Sequence, residues 1–103
     1  MANLNFFISN QSLDFPIAEI TMEVDKEKIF NKNIVIGTQH NWERIILENI
    51  TMDPHTLIVK EIQTNATLSE ILDVSSDLWI LITFHGPQTG LKMDIRDQPV
   101  AFM

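Results

Sequence analysis

The chain has 103 residues, enough for one domain with a real core, and 45% of them are hydrophobic. Fourteen acids against seven Lys and Arg give a net charge of -7, which argues against binding to nucleic acid and to an anionic membrane face. Cysteine is absent, so disulfides and thiolate metal sites are excluded.

In chain order, residues 3–9 read as a first strand, because Leu4, Phe6 and Ile8 fall on alternate positions. Residues 17–25 form the clearest strand. In Ile20-Thr21-Met22-Glu23-Val24-Asp25 every second residue is apolar, the period of a half-buried antiparallel strand. Asp25-Lys26-Glu27-Lys28 reads as a hairpin turn. Ile29 and Phe30 restart the sheet, Asn31-Lys32-Asn33 interrupts it, residues 34–36 resume it, and Gly37 suits a bend. Residues 42–50 and 55–62 are expected to pair with each other across Met52-Asp53-Pro54. Residues 68–74 follow as a strand, although Thr67-Leu68-Ser69-Glu70 also has the spacing of a helical capping box. Residues 78–84 are apolar on both faces, as for a central strand covered on two sides. A last pair, residues 91–95 and 100–102, flanks Arg96-Asp97-Gln98-Pro99.

About seven to nine short strands at roughly ten-residue spacing predict an all-β fold, a single antiparallel sandwich of Greek-key type over residues 1–103. No membrane insertion is expected. The longest apolar run, Leu78-Trp79-Ile80-Leu81-Ile82, is far short of the roughly 20 residues that span a bilayer, and residues 1–10 lack the basic flank of a leader.

Chemistry-bearing motifs are few. Glycine occurs only at Gly37, Gly86 and Gly90, which excludes a phosphate-binding loop and a dinucleotide fingerprint. No serine sits in a nucleophile elbow, so no catalytic residue is assigned. His40, His55 and His85 fall in separate segments without metal-ligand spacing. Asn10-Gln11-Ser12, Asn49-Ile50-Thr51 and Asn65-Ala66-Thr67 match the N-glycosylation acceptor, as chance allows in a chain rich in Asn and Thr.

Gln39-His40-Asn41-Trp42 is the most chemically loaded stretch. A flat indole stacks on a sugar ring while His40 and Asn41 bond its hydroxyls. The competing reading turns Trp42 into the core, the usual place for a large aromatic in a small sandwich. Trp79 shares a strand face with Leu81, Thr83 and His85, opposite Leu78, Ile80, Ile82 and Phe84. It is either a second stacking platform or part of a second buried face. Acids gather near turns, and Asp25, Asp94 and Asp97 are the candidate calcium ligands. Solvated turn charges are the alternative.

Residues 17–84 resemble small prealbumin-like (transthyretin-like) sandwich modules of secreted bacterial proteins and carbohydrate-active enzymes. The similarity is carried by Ile20-Thr21-Met22-Glu23-Val24-Asp25 with Lys28-Ile29-Phe30, by His40-Asn41-Trp42, by Pro54-His55-Thr56-Leu57-Ile58-Val59 and by Leu78-Trp79-Ile80. Such modules end the first of these strands in an Asp-Gly turn, and Lys26 stands here in the glycine position. The resemblance implies non-catalytic binding.

The expectation is therefore a non-enzymatic recognition module for carbohydrate, through His40, Asn41, Trp42 and Trp79, assisted by calcium at Asp25, Asp94 and Asp97. The rival is an assembly protein that joins a protein partner, or a second copy of itself, through exposed strand edges and the apolar Val100-Ala101-Phe102-Met103.

Overall fold

The computed structural model describes residues 1–12, 16–35, 42–87 and 89–99. Eight strands run β1 (Ala2–Asn10), β2 (Ile17–Val24), β3 (Glu27–Val35), β4 (Glu43–Ile50), β5 (Pro54–Glu61), β6 (Ala66–Asp73), β7 (Leu78–Phe84) and β8 (Leu91–Arg96). They form two four-stranded sheets, ordered β4-β1-β7-β8 and β3-β2-β5-β6. The all-β sandwich expected from the period-two pattern is the fold. Three neighbouring pairs, β2–β3, β5–β6 and β7–β8, are hairpins, and the remaining connections cross from one sheet to the other.

One ladder departs from the antiparallel expectation. β1 and β7 run parallel, with Leu4 beside Leu78 and Asn10 beside Phe84. A local sequence pattern carries no information about strand direction, and a parallel contact needs only that the intervening chain cross over. In this ladder Leu4, Phe6, Ile8, Ile80, Ile82 and Phe84 are fully buried on the inner face. Ala18, Ile20, Met22, Leu57 and Val59 meet them from the second sheet. The outer face of β7 is only half-buried, so this central strand is covered on one side and not on two.

Two expectations fail, and one alternative to an expected strand is rejected, for related reasons. β4 and β5 do not pair; β4 adds to β1 and β5 lies between β2 and β6 in the other sheet. Residues 51–53 cross the sandwich instead of reversing the strand. Three residues at about 3.5 Å each just span the roughly 10 Å between sheets. Asn31-Lys32-Asn33 does not interrupt β3, which continues from Glu27 to Val35. β3 is an edge strand, so its polar residues reach solvent without breaking the ladder. Thr67-Leu68-Ser69-Glu70 lies within β6, where Leu68 pairs with Val59 and Ser69 with Ile58, so the helical alternative is rejected. Gly37 and residues 100–102 lie outside the described residues.

Buried polar groups tie the sheets at their ends. Asn10 Nδ2 donates to the Ile34 carbonyl at 3.2 Å, and its Oδ1 accepts from the Ser12 amide at 2.9 Å. The amide of this glycosylation match is thus committed inside the fold. Glu61 is fully buried, and among the described residues no cation pairs with it. Its carboxylate accepts from the Glu19 amide at 2.8 Å, the Thr64 amide at 2.8 Å and the Thr64 hydroxyl at 3.0 Å. Three donors replace its hydration and pin the β5–β6 turn.

The β2–β3 hairpin turns through two residues with positive φ, Asp25 at 52° and Lys26 at 69°. That is the signature of the type I′ turn, which matches strand twist and favours Asp-Gly. Lys26 therefore carries a Cβ where glycine is preferred.

Two outcomes follow from these local arrangements. Replacement Lys26→Gly is expected to stabilise the fold by about 1 kcal/mol, read as a higher urea midpoint at unchanged slope. Replacement Glu61→Ala, which strands three donors, is expected to cost about 3 kcal/mol in the same assay, and an unchanged midpoint would show that water satisfies those donors.

Candidate functional site

Alternation within the parallel ladder sends Asn5, Phe7, Trp79, Leu81 and Thr83 to the outer face of the β4-β1-β7-β8 sheet. The flanking strands complete this face in register. On the β4 side Arg44 stands beside Phe7 and Ile46 beside Asn5. On the β8 side Arg96 stands opposite Trp79, Asp94 opposite Leu81 and Lys92 opposite Thr83. The result is an apolar strip rimmed by charge, with Ile46 57% exposed and Phe7, Trp79 and Leu81 half-buried. The Arg44 guanidinium lies over the Phe7 ring, 5.4 Å from its centroid.

Trp42 immediately precedes β4 and is half-buried, so it is not a core residue. It lines a hollow of about 300 Å³ on the same sheet with Leu81, Thr83, Lys92, Met93 and Asp94. Trp79 is also outside the core cluster. Thr83, in the hollow, lies four positions beyond Trp79 on β7, about 13 Å at the rise of a strand. The two tryptophans thus share one sheet face at two stations along it. His40 and Asn41 lie outside the described residues. Next to the hollow, Thr83 Oγ1 is 2.7 Å from His85 Nε2. The His85 pKa lies below its ordinary 6.5, through burial first and the Lys92 ammonium second, so the ring is neutral near pH 7.

The three carboxylates expected to hold calcium are not brought together. Among the described residues no three His, Cys, Asp or Glu side chains are grouped for a metal ion. Asp94 Oδ2 accepts from Arg96 Nε and Nη2, both at 2.8 Å. Asp97 follows β8 and lines a shallow groove with Leu78, Ile95, Arg96 and Gln98. Asp25 belongs to the other sheet and is occupied by a different partner.

That partner is His55. Its Nδ1 is 2.5 Å from Asp25 Oδ2, and its Nε2 is 2.8 Å from the Thr51 carbonyl and 3.1 Å from the Thr51 hydroxyl. The Thr56 amide donates to Asp25 Oδ1 at 2.9 Å. A hydroxyl, an imidazole and a carboxylate in line have the outline of an acyl-transfer triad. The hydrogen-bond roles oppose that reading. A carbonyl can only accept, so Nε2 carries a proton; an ionised carboxylate can only accept, so Nδ1 carries one too. The ring is an imidazolium and has no lone pair with which to take a proton from Thr51. It clamps the loop of residues 51–53 onto the β2–β3 turn. The hydrogen bond to Asp25 is the main cause that raises His55 above 6.5, followed by the bond to the Thr51 backbone. The same bond is the main cause that lowers Asp25 below 3.8, helped by the Thr56 amide.

Sequence reasoning found both tryptophans but missed the charged rim. The signal was present in Lys92, Asp94 and Arg96, which alternate along β8 and so must share the face opposite Thr83, Leu81 and Trp79. The Asp25–His55 pair had no such signal, because its partners are 30 residues apart and belong to different hairpins. Comparison with protein families, curated proteins and solved structures finds no match.

The clamp has a defined pH signature. His55, raised, contributes fully below its unfolded value of 6.5 and loses that contribution as pH rises through its higher folded value. Asp25, lowered, contributes above 3.8 and loses it as pH falls through its lower folded value. The stability difference between wild type and His55→Gln is thus expected to be largest at about pH 4–6.5 and to shrink on both sides. Urea unfolding across pH measures it, and a difference independent of pH would mean that His55 is not charged.

Proposed function

We propose that the protein is a non-catalytic, prealbumin-like binding module whose ligand is carbohydrate, held on the outer face of the β4-β1-β7-β8 sheet. The observation that carries this reading is the placement of Trp42 and Trp79 on one exposed face, outside the core, with polar and charged side chains around them. A small sandwich gains most from an indole by burying it. Two indoles left half-exposed on a rimmed strip mark a surface that meets something else. Each offers a flat apolar ring for the C–H face of a pyranose, while Thr83, Asn5 and the charges of β8 offer bonds to hydroxyls. The spread of the two stations suits an oligosaccharide lying along the strands.

The prealbumin-like part of this reading is supported by the sequence resemblance, which implies a two-sheet β-sandwich, and by the eight strands in two four-stranded sheets that agree with that coarse expectation. Support for a non-catalytic role comes from His55, whose only triad-like arrangement among the described residues is protonated on both nitrogens.

Assembly through sheet edges ranks lower. Lys32 on β3 and Glu43 on β4 occupy core-side positions of edge strands and meet each other at 2.8 Å across the mouth of the sandwich. Glu70 holds a core-side position on β6. Inward charges on edge strands oppose the addition of a foreign strand.

The test is a glycan panel read by tryptophan fluorescence and calorimetry. Binding is expected in calcium and in chelator alike, since Asp25 and Asp94 are engaged by His55 and Arg96. Trp42→Ala and Trp79→Ala are each expected to weaken it at least about tenfold while costing only about 1–2 kcal/mol of stability. Loss of folding in both variants would return the indoles to a packing role, and a panel with no ligand would count against the proposal.

A further inference from the structure

We infer that the hollow beside Trp42 takes a pyranose that carries a carboxylate, with the Lys92 ammonium as its ionic partner and Trp42 as its stacking surface. This rests on the carbohydrate-binding reading and names the sugar class.

The argument starts from charge. The chain carries -7 overall, so its general field repels anions. The hollow runs against that field. Lys92 lines it, and among the described residues Lys92 has no ion-pair partner. Asp94 also lines it, but its Oδ2 accepts from Arg96 Nε and Nη2, both at 2.8 Å. Lys92 and Arg96 against Asp94 leave one positive charge in excess at this place.

The second point is solvation. The remaining lining residues, Trp42, Leu81, Met93 and Thr83, are largely apolar. A neutral ligand seated among them would strip water from the Lys92 ammonium and return nothing equivalent. A carboxylate returns a charge-assisted hydrogen bond. Size agrees, since about 300 Å³ is at the small end of ligand sites and fits one sugar ring better than a polymer segment. Thr83 and the neutral His85 beside it, joined at 2.7 Å, supply uncharged partners for ring hydroxyls. Their neutrality keeps the positive charge confined to Lys92.

The experiment compares a glucuronate-containing oligosaccharide with its uncharged glucose counterpart by calorimetry on the full chain. The acidic ligand is expected to bind at least about tenfold more tightly, the worth of one charge-assisted bond. Lys92→Gln is expected to abolish the difference, bringing affinity for the acidic ligand down to that for the neutral one. Occupancy is also expected to raise the His85 pKa, followed by NMR titration, because the bound carboxylate offsets the Lys92 charge. Equal affinity for both ligands, or a preference that survives Lys92→Gln, would overturn this inference and leave the carbohydrate reading standing. Competition by free acetate as effective as by the uronate would overturn it too, since the ring would then contribute nothing. Binding of neither ligand, together with a blank panel, would remove both.

Discussion

The parallel ladder between β1 and β7 is the constraint on which the molecule depends. It sets Leu4 beside Leu78, Phe6 beside Ile80 and Ile8 beside Ile82. Those inner residues are all buried, and all but Leu78 fully so. The same register sets Phe7 beside Leu81 and Asn5 beside Trp79 on the outside. A slip of one residue would exchange the faces of one strand, exposing core and burying the outer strip together. Core and candidate site are therefore fixed by a single register. β4 and β8 then add to the two sides of this ladder and bring the charged rim, Arg44 from one and Lys92, Asp94 and Arg96 from the other.

How legible this was depended on the range of the interactions. Strand positions were readable because alternation is local, as in β2, where every inward residue from Ala18 to Val24 is buried. Partners were not. β4 and β5 each carry strand-like residues, and nothing in either says that they lie in opposite sheets. The direction of β1 against β7 was hidden for the same reason. The polar triplet in β3 looked like a break because a sequence does not show which strands are edges. Among site residues, Trp42 and Trp79 stood out by type, and alternation put Trp79 with Leu81, Thr83 and His85. The carboxylates did not sort themselves. Asp25 looks like any turn acid until His55 and Thr56 occupy its two oxygens, and Asp94 looks like a ligand until Arg96 is seen beside it.

The second sheet solves a different problem. Its buried carboxylate, Glu61, is satisfied by donors from Glu19 and Thr64, and the Lys32–Glu43 pair and the Asn10 amide add polar ties to the other sheet beside the shared apolar core. An exposed pair such as Lys32–Glu43 contributes little to stability. Its position matters more than its strength, because it occupies the open side of the sandwich where a foreign strand would otherwise enter.

The central ladder also dictates when the protein can fold. Asn3 and Asp77, which bond at the start of the β1–β7 pair, are 74 residues apart in the chain. Contacts so distant close large loops before they return any stabilisation, which raises the entropic barrier and slows folding. On the ribosome, β1 emerges well before β7, its permanent neighbour. Until then Leu4, Phe6 and Ile8 have no cover from β7, and the β2–β3 and β5–β6 hairpins, which need only local chain, can form ahead of them. The protein therefore passes through its most aggregation-prone state in the interval before β7 emerges, with the second sheet partly assembled and the first still open.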